Sequence, residues 1–319
     1  MVGERQYVKN KNARPQVSLT VFFAVGIMAI QRKNSGKQKE NQMIETFSDR
    51  RNRPEKTPKY AVLDFDGTVS LIREGWQQIM TPYFTDELYN TPEGRKLPRE
   101  QVELHCRDFI TLLTGKQTIY QCIRLAEEIT AFGGTPEDPQ TYKDEYVRRL
   151  LVKIDDRLKG LENGKIEPET LTVPGTYDLL GMLQKHGVKA YLASGTDEEH
   201  VLNEAALLKV NHYFDGRIYG AQREYKTFSK KLVIERIIRE NHLSGGELIG
   251  FGDGYVEIEN VREAGGFAVG VATNEHERRG IDEWKRERLI RAGANVIIPD
   301  YRNIGEIEKM LFGEVTYAV

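Results

Sequence analysis

The residues of this chain that could do chemistry collect at the ends of short apolar runs. In segment 61–68 an Ala-Val-Leu run gives way to Asp64, Phe65, Asp66, Gly67 and Thr68, so two carboxylates stand two residues apart just past a strand-like stretch. Side chains alternate along a strand, and acids at i and i+2 therefore face the same way. Such a pair repels itself until a cation or a proton relieves it. The chemistry this pair can serve is phosphoryl transfer. Asp64 would attack phosphorus to give an aspartyl-phosphate, while Asp66 protonates the leaving oxygen and later deprotonates water. A plain turn built from Asp and Gly uses the same residues.

Three later segments supply the rest of such a site. Tyr191-Leu192-Ala193-Ser194-Gly195-Thr196 ends an apolar run with a hydroxyl and small residues before a helical pattern. Free N–H groups and the helix dipole favour a phosphate at such a place. Ser194 and Gly195 are the expected phosphate contacts, and Thr196 with Glu199 reads as a capping box. Ser229-Lys230-Lys231 opens another helix with cations where the dipole disfavours them. Lys230 is the better inward candidate, because Val233, Ile234, Ile237 and Ile238 follow it at three, four, seven and eight residues. Finally, segment 248–257 ends a strand pattern in Gly252-Asp253-Gly254, with Glu257 four residues on. Its spaced glycines do not make a dinucleotide fingerprint, since an aspartate inside the turn would repel a pyrophosphate. Magnesium, which prefers oxygen ligands, would suit Asp64, a backbone carbonyl at Asp66, and Asp253. Glu257 could hold a metal-bound water, orient Lys230, or simply complement a helix dipole.

The elements that must position these residues follow from the same runs. Segments 60–63, 190–193, 217–219, 248–251, 267–271 and 296–298 are short and almost wholly apolar, with helical patterns between them. That is the signature of a parallel sheet covered on both faces. The expected fold is α/β, with a Rossmann-like parallel sheet core formed by residues 59–75 and 162–319. Residues 76–161 show helical periodicity instead, as in Val102, Cys106, Phe109, Ile110 and Leu113, or Ile119, Ile123, Ala126 and Ile129, and they read as an inserted all-helical cap.

The chain has 319 residues and a formal net charge of -2, which gives no electrostatic case for nucleic acid. Cys106 and Cys122, with no CxxC or His-rich company, read as core thiols in a reducing, cytoplasmic setting. Residues 1–58 are expected to be an extension outside the fold. The apolar stretch 17–30 is shorter than the ~20 residues a membrane span needs; its length permits a secretory signal or membrane contact, but Gln31-Arg32-Lys33 follows where a small-residue cleavage site would be wanted. Oligomeric state is left open.

The four motifs, in this order and at these strand ends, resemble those of the haloacid dehalogenase-like superfamily, and the resemblance runs from about residue 59 to the C-terminus. It implies Asp64 as nucleophile, Asp66 as acid/base, Ser194 as the phosphate hydroxyl, Lys230 as the motif lysine and Asp253 as the metal acid, with Mg2+ as cofactor. Many members carry aspartate where this chain has Glu257. The helical insertion is similar to the cap of the phosphoglycolate phosphatase and β-phosphoglucomutase branch. The resemblance therefore implies a phosphatase acting on a small phosphorylated metabolite, a sugar phosphate or a phosphoglycolate-like ester. A phosphomutase is the alternative, and a catalytically silent binding protein a third. Thr68, Gly195, Arg73, Lys116 and Arg124 are the candidates to meet the substrate, with Glu74 and Trp76 beside them.

Overall fold

Four residues, Tyr60–Leu63 (β2), set the frame, since a strand with no polar residue can only sit where both faces are covered. Ala61, Val62 and Leu63 are indeed buried. The computed structural model describes residues 44–224, 229–243 and 245–313. In it β2 pairs in parallel with β3 (Lys189–Asp197) and with β5 (Leu248–Gly252), and Leu63 stands level with Leu192 and Phe251. The residues just beyond this level, Asp64, Ser194 and Asp253, thus issue from one edge of the sheet.

The remaining strands are β1 (Glu45–Thr46), β4 (Ile218–Ala221), β6 (Phe267–Val271) and β7 (Val296–Ile298), and the sheet runs β1-β7-β6-β5-β2-β3-β4. Every described pairing is parallel except β1 with β7. The winding reverses on either side of β2, which opens a crevice at the carboxyl ends of the central strands, where ligands bind in such sheets.

One boundary differs from expectation. Residues 44–58 were expected outside the fold, yet β1 closes the sheet edge, with Glu45 opposite Ile297. Arg286 pairs with Glu45 (Nε–Oε2 2.6 Å), and Arg50 donates to the Ala294 carbonyl at 2.7 Å. Two residues are too few to show strand alternation, so side-chain pairs locate this strand. The apolar stretch 17–30 lies outside the described residues. Among the described residues no helix is long and apolar enough to cross a membrane.

Between β2 and β3 the chain makes five α-helices: α5 (Thr176–Lys185) leads into β3, and the insertion itself consists of α1 (Gln77–Tyr89), α2 (Arg99–Leu113), α3 (Thr118–Ala131) and α4 (Pro139–Glu162). Their inner faces bury Phe84 and Leu88, Cys106 and Ile110, Cys122 and Leu125, and Tyr146 and Ile154. On α3 the buried apolar residues are Ile119, Cys122, Leu125 and Ile129, so the helix is turned relative to the expected stripe and Ile123 and Ala126 are only partly covered. Burial pushes both thiols up to about 12, as expected for unreactive core cysteines. The chain leaves and re-enters the sheet domain side by side: the Leu71 N–H donates to the Leu171 carbonyl at 2.8 Å, and the Val173 N–H to the Val69 carbonyl at 3.1 Å. Arg157 of α4 ties down the exit by donating to the Ile72 and Glu74 carbonyls.

Candidate active site

Asp64 is the first residue past β2. Its N–H continues the ladder to the Phe251 carbonyl (3.0 Å), and its Oδ1 accepts from the Phe65 N–H at 2.8 Å. The chain then folds back on itself, with the Phe65 carbonyl accepting the N–H groups of Thr68, Val69 and Ser70. Gly67 makes the turn at φ +73°, and a Cβ there would lie 2.2 Å from Asp253 Oδ2. Only glycine satisfies both the left-handed backbone and that close approach.

Asp66 points into the same crevice. Its Oδ2 accepts from the Thr196 hydroxyl at 2.8 Å and from the Ser194 hydroxyl at 3.3 Å. Its Oδ1 has no hydrogen-bond partner and lies 3.9 Å from Arg73 Nε. The expected capping box at Thr196 does not form. Strand β3 continues through an irregular register to Asp197, and α6 (Glu198–Leu207) starts after it, followed by the single turn α7 (Asn211–Phe214). Extended backbone at Thr196 turns its hydroxyl onto Asp66, and Ser194, fully buried, accepts the Thr196 N–H at 3.0 Å.

The lysine is Lys230, the first residue of α8 (Lys230–Glu240), whose N-cap Ser229 accepts from the Leu232 N–H. Lys230 Nζ lies 2.8 Å from Asp64 Oδ2 and 2.9 Å from Glu257 Oε2, and all three side chains are buried. Lys231 points outward to Glu263. Glu257, in α9 (Tyr255–Glu263), also accepts the Gly254 N–H at 2.7 Å, so it both orients Lys230 and caps its own helix.

Carboxylate oxygens of Asp64, Asp253 and Glu257 all lie within 4.8 Å of one another. One ammonium between two of these acids leaves negative charge in excess. Burial, reinforced by Glu257, pushes the Asp64 carboxyl well above the usual range despite Lys230. Burial also acts against the charge of Glu257, yet Lys230 and the hydrogen bond with Asp64 hold its carboxyl low. Burial drives Asp253 up to about 6, against the pull of Lys285. A cluster of hard oxygen donors with uncompensated charge, beside a glycine whose missing Cβ lets the Asp253 carboxylate come close to the Asp64–Asp66 turn, fits a divalent cation.

The other expected contacts divide. Lys116 and Gly195 line the cavity, and the Lys116 carbonyl approaches Gly195 so closely that a Cβ there would sit 3.0 Å away. Arg73 also lines it, but its guanidinium grips Glu204 (Nη2–Oε1 2.6 Å) in a buried pair and stands behind Asp66 as a fixed charge rather than a free substrate contact. Thr68 is buried, and its hydroxyl accepts the Asp253 N–H at 3.0 Å, so it holds the backbone of Asp253. Arg124 lies away from the cavity on the exposed face of α3, paired with Glu127 and Glu128. Opposite the acids, α4 and the start of α1 offer Trp76, Tyr146, Val147 and Leu150, while the first turn of α3 offers Thr118 and Gln121.

Sequence reasoning missed Glu204, Glu275 and Lys285. Glu204 did leave a signal: it falls with Val201, Ala205 and Leu208 on the buried face of α6, where an acid requires a cation. Glu275 and Lys285 sit in charged runs indistinguishable from solvated surface.

The fold is that of several solved structures. A predicted phosphoglycolate phosphatase from Haemophilus somnus 129PT matches with a TM-score of 0.53 at 14% identity, covering 79% of this chain and 99% of that one. β-Phosphoglucomutase from Clostridium difficile matches with a TM-score of 0.53 at 13% identity, covering 80% and 97%. A predicted phosphatase from Clostridium acetobutylicum matches with a TM-score of 0.51 at 18% identity, covering 80% and 98%. No curated protein matches the sequence. The haloacid dehalogenase-like hydrolase family model matches residues 58–265, a span that takes in the Asp64–Asp66 turn, the helical insertion, Lys230 and Asp253. With both the motifs and their geometry in that matched span, the chain belongs to the haloacid dehalogenase-like hydrolases and is an enzyme.

Proposed function

We propose that this enzyme is a magnesium-dependent phosphatase that hydrolyses a small phosphomonoester through an aspartyl-phosphate on Asp64. The observation that carries the reading is the division of the two acids: Asp64 is held by Lys230, whereas Asp66 is held by Thr196 and keeps one oxygen without a hydrogen bond. Asp64 attacks phosphorus while the ester P–O bond breaks, and the departing oxygen takes the proton of Asp66. Asp66 then removes a proton from water, whose oxygen attacks phosphorus and releases Asp64 and inorganic phosphate. A magnesium ion held by Asp64, Asp253 and the Asp66 backbone carbonyl would supply charge against the phosphate oxygens. Glu257 serves through Lys230 rather than directly. The helical insertion covers the crevice as a cap and meets the leaving group, a role in which closure supplies specificity.

The test is a screen of common phosphomonoesters, sugar phosphates included, with purified protein in magnesium and in excess chelator. Release of inorganic phosphate that stops on chelation is the expected result. Full turnover in chelator overturns the metal requirement, and conversion of a sugar monophosphate to its positional isomer without free phosphate overturns hydrolysis in favour of mutase chemistry.

The cap assignment carries its own expectation. Lys116 lines the cavity and Arg124 does not. Lys116→Ala should therefore reorder the rates among phosphomonoesters, by about tenfold for esters that carry a second anionic group. Arg124→Ala should leave the profile unchanged and cost only about 0.5 kcal/mol of stability, the usual worth of an i,i+4 pair. Rates in the same screen and a thermal melt check both, and an unchanged profile for Lys116→Ala removes it from substrate selection.

A further inference from the structure

A second lysine is built into the acid cluster, and neither the proposed chemistry nor the four motifs uses it. Lys285, near the start of α10 (Glu283–Arg291), is buried, with Nζ 2.8 Å from Asp253 Oδ2 and 2.5 Å from Glu275 Oε1. Two terms oppose that placement. An ammonium loses hydration on burial, and the N-terminal turn of a helix repels a cation. The two carboxylates offset them. The same two oxygens crowd Gly67, where a Cβ would lie 2.2 Å from Asp253 Oδ2 and 3.1 Å from Glu275 Oε1, so this ion pair adjoins the nucleophile turn. Asp253 is thus shared between Lys285 on one side and the carboxylates of Asp64 and Glu257 on the other. The four carboxylates touched by Lys230 and Lys285 outnumber those lysines by two. One divalent ion balances that excess.

We propose that Lys285 is a positioning residue that acts as a permanent second cation: it occupies the seat between Asp253 and Glu275 and so limits the cluster to one divalent ion, while Glu275 offsets its repulsion of that ion. The inference rests on the metal reading above. Manganese binding to the full chain, counted by calorimetry and by electron paramagnetic resonance, tests it without reference to turnover. The wild-type protein should bind one equivalent. Lys285→Met should bind the first equivalent at least about tenfold more tightly and take up a second. Glu275→Gln, which leaves Lys285 paired with Asp253 alone, should bind the single ion about tenfold more weakly. Opposite shifts in the two variants are the signature of a charge role, since loosened packing would weaken both. If Lys285→Met folds only with manganese present, the stoichiometry of that form still decides. If it does not fold at all, unchanged affinity in Glu275→Gln overturns the proposal. One equivalent at unchanged or weaker affinity in Lys285→Met also overturns it. No binding by the wild-type protein would instead overturn the metal reading itself.

Discussion

Asp64→Asn is expected to lower turnover by on the order of 10⁴-fold or more and to remove every trace of a phosphorylated enzyme. The amide keeps the size of the carboxylate but cannot attack phosphorus, and it presents no charge to Lys230, which now reaches Asp64 at 2.8 Å. Mass spectrometry of quenched reactions checks the covalent step. A phosphorylated peptide that lacks residue 64 would refute the assignment, as would normal turnover. The same substitution has a readable effect on stability. The folded protein holds the Asp64 carboxyl well above its ordinary range, through burial and the nearby Glu257. A carboxyl so raised contributes stability below its unfolded pKa and loses it as pH rises through the folded value. The metal-free wild-type protein should therefore lose stability above the ordinary carboxylate range more steeply than the Asp64→Asn protein, and thermal melts in chelator across pH compare them.

How much of this site was legible in the sequence varies residue by residue, for physical reasons. The central strands were readable because a strand covered on both faces has no room for polar residues, and Tyr60–Leu63 begins and ends where its apolar run does. Lys230 could be separated from Lys231 because helical spacing fixes which of two neighbours shares a face with Val233 and Ile237, and the buried side of α8 is that face. Thr196 was misread for the opposite reason. A Thr-x-x-Glu sequence fits a helix start, but the pairing of β3 with β4 carries extended backbone as far as Asp197, and this non-local pairing leaves no mark in the local spelling. Arg124 failed on geometry. It lies three residues beyond Gln121, about 4.5 Å further along the α3 axis, and finds its partners at i+3 and i+4 instead of in the crevice. Lys285 and Glu275 were invisible because long-range convergence, not composition, brings Lys285 between Asp253 and Glu275.

Asp66→Asn should separate the two halves of the reaction in a way that Asp64→Asn cannot. Asp66 Oδ2 is held by two hydroxyls, Thr196 at 2.8 Å and Ser194 at 3.3 Å, and Oδ1 is buried without a hydrogen-bond partner, so the carboxyl is fixed in orientation at the crevice. Behind it stands Arg73, whose charge is held in place by Glu204. Loss of the carboxyl should slow turnover of an alkyl phosphomonoester by about 10²- to 10⁴-fold, the usual worth of a general acid and base. An aryl phosphate whose leaving oxygen needs no proton should still phosphorylate Asp64 at a rate near that of the wild-type enzyme. Its hydrolysis still lacks a base for the attacking water, so the phosphoenzyme should accumulate, and a burst of phenol equal to the enzyme concentration should precede a slow steady state. Rapid-quench measurements of the burst, together with the mass of the trapped enzyme, check both parts. Equal slowing of alkyl and aryl esters with no accumulated phosphoenzyme would assign Asp66 to holding the turn rather than to proton transfer, because only a proton-transfer role makes the first step depend on the leaving group while the second does not.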